Sequence, residues 1–131
     1  MIIVLIFSIV IFTWFVLKYQ YESYLENEPT IVRLKAKLIP YFPELHKVKL
    51  MHGTQSYTLN KKKIYLCTEQ NGKRYGDNML TFVILHELAH TISSEIGHGE
   101  KFQSIFKILL KRAEFHDVYD SSIPQIENYC K

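Results

Sequence analysis

The stretch HELAHTISSEIGH, residues 86–98, holds three of the chain's six histidines, with Glu87 directly after the first of them. Helical residues four apart project from the same side, about 40° from one another. His86 and His90 therefore offer two imidazoles to one point, and Glu87, one residue round, reaches a water there without being a ligand itself. Two nitrogens and a carboxylate base on one rigid element are the donor set of a hydrolytic Zn2+. Such a site also needs a third protein ligand and an open position. Glu95 lies about 180° round the same helix from His86 and points away unless the helix has already ended. His98 follows Gly97, where a turn swings the chain back, so His98 is the expected third ligand, with His46, His52 and His116 as remote alternatives. A lone histidine on this helix would read as an ordinary polar residue on a solvent face. Here the phase, the carboxylate, the glycine and the third histidine agree.

The element that carries the site must be buried on its other side. MLTFVILHELAHTISSEI places Leu85, Leu88, Ala89, Ile92 and Ile96 on one face, with Ile84 at its edge. Asp77 or Asn78 is the expected cap, and Gly97 the expected stop. A second helix follows in EKFQSIFKILLKRAEF, with Phe102, Ile105, Phe106, Leu109, Leu110 and Ala113 on its stripe. Upstream, Pro29 opens a helix with Ile31, Leu34, Leu38 and Ile39 at helical spacing, ended by Pro40 and Pro43. Between them the period changes to alternation at Val48 and Leu50, at Tyr57 and Leu59, and in KIYLC, which predicts two or three antiparallel strands. EQNGKRYGDN reads as loop and the tail after Phe115 as irregular. These elements predict an α+β domain over residues 29–131.

The chain begins MIIVLIFSIVIFTWFVL, about 17 residues without a charge and about 25 Å long as a helix. Trp14, Tyr19 and Tyr21 add interfacial aromatics. The run is apolar all round, unlike a core helix, and it lacks the basic start and small-residue cleavage site of a signal peptide. Residues 1–21 are thus an expected single-pass transmembrane anchor, and the polar residues 22–28 a short tether. Lys18 follows the span, and Arg33, Lys35 and Lys37 come soon after, so the positive-inside rule puts the domain in the cytoplasm.

A chain of 131 residues makes one domain beyond the anchor. Its net charge of +3 is mild and the lysines are scattered apart from Lys61–Lys63, so nucleic acid is not indicated as a partner. Cys67 and Cys130 are far apart and form no CxxC, signalling neither a disulfide framework nor a thiolate metal site. Reduced cysteines suit a cytoplasmic domain. Oligomeric state is not written in these residues.

HELAH followed seven residues later by HGEKF resembles the zinc peptidases written HExxH then HGxxF, the WLM and SprT-like group, also called minigluzincins. The likeness covers roughly residues 64–113. It implies a small zincin-like fold with His86, His90 and His98 on zinc and Glu87 as base. It implies Gly99 as the tight turn after the third ligand and Phe102 as a core anchor of the next helix. It also implies that the strand before the active helix, with Ile64, Tyr65 and Leu66, borders the cleft and pairs with an extended substrate. Compact versions with an N-terminal hydrophobic segment resemble those carried by large DNA viruses. Other members of the group act on protein crosslinked to DNA, and this chain lacks their accessory regions.

The expected activity is hydrolysis of a peptide bond in a protein or peptide substrate, with Tyr119 and Tyr75 as candidate oxyanion donors. Two rivals belong to other classes: a zinc-bound but inactive membrane-tethered interaction domain, and a scaffold without metal. Glu87 weighs against the first, because a purely structural metal site has no use for a base.

Overall fold

The computed structural model describes residues 1–130. α1, Ile2–Glu26, is an unbroken helix of about 37 Å. Its side chains from Ile2 to Leu17 are all exposed, and it is long and apolar enough to cross a membrane. The expected tether does not loosen into coil. α1 runs on through it, and Glu22 is buried where its carboxylate pairs with Lys49 Nζ at 3.3 Å and with Lys63. Asn27 closes the helix by bonding back to the Ser23 carbonyl. Glu28 then caps α2, Pro29–Leu38, by accepting from the Ile31 amide at 3.0 Å. Only two residues, Asn27 and Glu28, separate α1 from α2, so the two helices follow without a long joint.

α2 buries Ile31, Leu34 and Leu38, and a 3-10 turn, Pro43–Lys47, buries Leu45. The chain then forms β1 (Lys49–His52), β2 (Tyr57–Leu59) and β3 (Lys63–Leu66), in the order β1-β3-β2. The sheet is mixed, which corrects the antiparallel expectation: β2 pairs antiparallel with β3, and β1 pairs parallel with it. The cause is local. Asn60 and Lys61 both take left-handed backbone, at φ 52° and 55°, making the primed turn that zips β2 onto β3. β1 is left with the other edge of β3 and runs in the same direction.

Leu50, Ile64 and Leu66 point from one sheet face into the main core against α2 and the helix that carries His86 and His90. Met51, one residue out of phase with Leu50, is equally buried but lies outside that core, on the face crossed by α1. The end of the apolar helix is therefore a layer of the domain. The stretch expected as loop holds a two-residue hairpin, β4 (Glu69–Gln70) and β5 (Lys73–Arg74), turning at Asn71 and Gly72 with φ 53° and 77°.

α3, Asp77–Ile92, is the central helix. Met79, Leu80, Val83, Ile84, Leu85, Leu88 and Ala89 are all buried, so the core wraps it more widely than a single stripe. Neither Asp77 nor Asn78 caps it. Asp77 takes Arg33 in a bidentate pair at 2.6 and 2.9 Å, and Asn78 exchanges hydrogen bonds with the backbone of Asp120. The helix stops at Ile92 rather than near Gly97, because Ser93 turns extended and its buried hydroxyl accepts from the Glu95 amide. Ile96, expected on the core face, is fully exposed in the loop that results.

α4, Glu100–Phe115, packs on α3 through Phe102, Phe106, Leu109 and Ala113. The tail beyond it is irregular and is fastened by a Cys67–Cys130 disulfide with Cα atoms 6.4 Å apart. That bond corrects the expectation of reduced cysteines: 63 residues separate the pair in sequence, and folding brings the tail back to the end of β3.

Candidate metal centre

α3 aims His86 and His90 into an open cleft, as their spacing requires. Because the helix has ended, the 93–99 loop is free to return, and Gly97 at φ 89° makes the bend that brings His98 onto them. Gly99, expected as the tight turn, has an ordinary φ of −69° and starts α4, so the left-handed glycine stands before the third histidine. His98 Nε2 lies 3.0 Å from His90 Nε2 and 3.2 Å from His86 Nε2. Zinc–nitrogen bonds near 2.05 Å in a tetrahedron put ligand atoms about 3.3 Å apart, so His98 Nε2 already stands from the other two at the separation of one coordination sphere, and all three lie within 4.8 Å of one another.

Phe102 is the floor of this arrangement. Fully buried, it stacks under His90 with centroids 4.3 Å apart and meets His86 and His98 edge-on at 5.0 and 4.9 Å. Phe106 supports His86 from the side at 5.2 Å. Burial, with the neighbouring charges of His90 and His98, holds His86 down to about 4, and burial also lowers His90. Both are therefore neutral near pH 7, the form a metal requires.

Glu87 is buried beside the histidines and its Oε2 accepts from Thr58 Oγ1 at 2.6 Å. Burial raises its pKa, against the opposing pull of the Thr58 hydrogen bond and the charge of His98. Oε1 carries no hydrogen bond among the described residues. The cleft, of about 590 Å³, is lined by Tyr57, Thr58, His86, Glu87, His90 and His98 among others. Glu95 also reaches it, but stands outside the histidine group, with its carboxylate 3.9 Å from Lys101.

Other expected site residues are elsewhere. Ile64 and Leu66 are fully buried, and Tyr65 lies on the α1 face stacked on Tyr57 at 4.7 Å. β3 is flanked on both sides, so the strand bordering the cleft is β2. Tyr75 bonds Gln70 and the Cys130 amide, and the Tyr119 hydroxyl accepts from Gln125 at 2.7 Å. Neither tyrosine lines the cleft. His116 stacks on Tyr41, while His46 and His52 lie on the 3-10 turn and β1, apart from the cluster.

The sequence reading missed Thr58, whose role needs the register of β2 against α3. It missed as well a polar clasp at the cleft's rim. Tyr129 donates to the Cys67 carbonyl, and its oxygen meets Ser56 Oγ at 2.8 Å, while Ser56 accepts from the Cys67 amide at 2.9 Å.

No model of a known protein family matches this chain, and no solved structure matches it. It is similar to viral proteins. Uncharacterized protein 136R of Invertebrate iridescent virus 6 is 46% identical over 90 residues, 64% of this chain and 49% of that protein. Uncharacterized protein 042R of Invertebrate iridescent virus 3 is 46% identical over 87 residues, 65% of this chain and 55% of that protein. Uncharacterized protein R325 of Acanthamoeba polyphaga mimivirus is 41% identical over 59 residues, 43% and 30% of the two chains. The chain thus spans about half the length of the first two.

Proposed function

We propose that this chain is a membrane-anchored, zinc-dependent metallopeptidase. The observation that carries the reading is the convergence of three imidazole Nε2 atoms beside a buried carboxylate with one oxygen free. Three imidazole nitrogen donors and an open cleft fit zinc with a position left for water. Zinc held by His86, His90 and His98 would supply Lewis acidity, polarising a carbonyl and drawing the pKa of water from about 15.7 towards about 7.

The chain's own groups do the rest. Thr58 fixes Oε2 of Glu87, so Oε1 is the atom that accepts a proton from water in the cleft and returns it to the leaving amine. Burial of Glu87 keeps that carboxylate basic enough for the task. The free edge of β2 offers main-chain groups to an extended peptide, taking the place expected for Ile64, Tyr65 and Leu66. A structural metal site in an interaction domain has no use for a buried carboxylate held by its own hydrogen bond, so the catalytic reading is preferred.

For orientation, the Lys18 side of α1 favours the cytoplasm, but the Cys67–Cys130 bond favours an oxidising compartment. The disulfide outweighs the charge bias, because only Lys18 adjoins the span, while Arg33, Lys35 and Lys37 are built into α2 of the folded domain.

The test is full-length protein in detergent with unfolded casein as substrate. Zinc near one per chain with casein cleavage that Glu87→Gln abolishes, its zinc intact, supports the proposal. Zinc-loaded parent that cleaves nothing overturns it.

A further inference from the structure

The junction between α1 and the sheet sets where the cleft stands relative to a bilayer. The apolar run ends at Lys18, and Glu22, one turn and about 6 Å further along, is already buried against Lys49 and Lys63 at the start of β1 and β3. A domain on a slack tether would sample many heights and orientations. This one is held by an unbroken helix and by the ion pairs that the buried Glu22 makes with Lys49 and Lys63, about one turn beyond the apolar run.

Two lobes, of about 280 and 320 Å³ and sharing Leu25 and His52 in their linings, lie along that junction. The lobe nearer the metal centre is lined by Tyr21 and Leu25 of α1 and by Gly53, Tyr57 and Tyr65 of the sheet. Tyr57 also lines the metal cleft, so the two openings share it as a lining residue. Gly53 leaves room there: a side chain would meet Tyr65 Cβ and the Gln55 carbonyl at 3.1 Å each. Tyr21 and Tyr57 are 64% and 45% exposed, so this amphipathic wall is open to a ligand. Rings with an apolar body and a polar tip suit the boundary between lipid and water.

We propose that the substrate is a polypeptide anchored in the same membrane, which leaves the bilayer beside α1, passes Tyr21, Tyr65 and Tyr57 in extended form, and is cut close to the membrane. This rests on the metallopeptidase reading and names its substrate class. β1 and β2 are two strand spacings apart, about 10 Å. At about 3.3 Å per extended residue, a chain climbing the junction and crossing the sheet reaches the metal within roughly ten residues of the lipid. Substrates held in the same plane gain effective concentration over free ones.

The experiment uses the full chain, zinc-loaded, in phosphatidylcholine vesicles with a reporter: a single-pass helix, a Gly/Ser spacer of about 5, 15 or 40 residues, then a fixed unfolded casein segment. Cleavage at least tenfold faster behind the short spacers than behind the longest, or than the same segment in solution, is the expected result. Glu22→Lys sets three cations together at the junction; it should erase the spacer preference while zinc content and hydrolysis of soluble casein persist. Glu22→Gln should weaken the preference in the same direction. Equal rates at every spacer, with soluble casein cut normally, overturn this inference alone. No cleavage of any reporter or of soluble casein overturns the peptidase reading and this inference with it.

Discussion

Thr58 Oγ1 stands 2.6 Å from Glu87 Oε2, joining the edge strand of the sheet to the carboxylate of the central helix. Thr58 is only partly exposed and Glu87 is buried, so this hydrogen bond is shielded from water and fixes the rotation of the carboxylate. A hydrogen bond to a charged group contributes about 1.5–3 kcal/mol. Thr58→Val keeps the shape and removes the donor; it should lower kcat by roughly 10- to 100-fold, leave KM and zinc content near the parent's, and be rescued by Thr58→Ser. A valine variant as fast as the parent would remove Thr58 from the machinery.

Of the three proposed ligands, His98 is held least firmly by packing, being exposed on a loop while His86 and His90 are set by α3. His98→Ala should therefore lose zinc with little loss of the metal-free fold, whose core is closed by α2, α3, α4 and the sheet. In the parent, zinc at about 1,000 times its dissociation constant should add about 4 kcal/mol of stability. Melting with and without a chelator measures this. The chelator should lower Tm in the parent and leave His98→Ala unmoved.

How much of this could be read beforehand follows from sequence distance. His86, Glu87 and His90 lie within one helical turn and His98 a short loop away, so local periodicity and spacing sufficed to bring them together. The buried stripe of α4 and the Pro29 start of α2 were legible for the same reason. Thr58 meets Glu87 across 29 positions, through a strand register that no local pattern contains. The parallel pairing of β1 with β3 was hidden because alternation marks a strand and not its direction. Ser93 ended α3 early although the apolar period continued to Ile96, which misplaced the stop. Asn71-Gly72 marks the turn in the stretch read as loop, but the strands it joins were hidden because their charged residues lack any apolar alternation.

The Cys67–Cys130 bond closes a long loop, joining β3 to a tail that no helix or strand holds. Restricting that loop in the unfolded chain stabilises the fold by about 4 kcal/mol in the chain-entropy account. Cys130→Ser should lower stability by about that amount and loosen the tail, seen as faster proteolysis after Phe115. Protein recovered from cells should show no free thiol before reduction, in keeping with an oxidising compartment. Two freely alkylated thiols in native protein would restore the cytoplasmic orientation.

Tyr129 makes the same clasp sensitive to alkali. Its hydroxyl donates to the Cys67 carbonyl and contacts Ser56, and burial, ahead of other causes, pushes the phenol up to about 12. An unfolded tyrosine releases its proton near pH 10. The folded state therefore holds the proton more tightly, and the stability Tyr129 contributes is complete below about pH 10. It is lost as pH rises through about 12. Tyr129→Phe lacks the hydrogen bonds but cannot ionise, so it should be less stable than the parent at pH 8 by about 1 kcal/mol, with the gap narrowing between pH 10 and 12. Denaturant melts across that range measure the difference directly. A gap that stays constant would mean the phenol titrates alike in both states, and that the clasp exerts no hold on its proton.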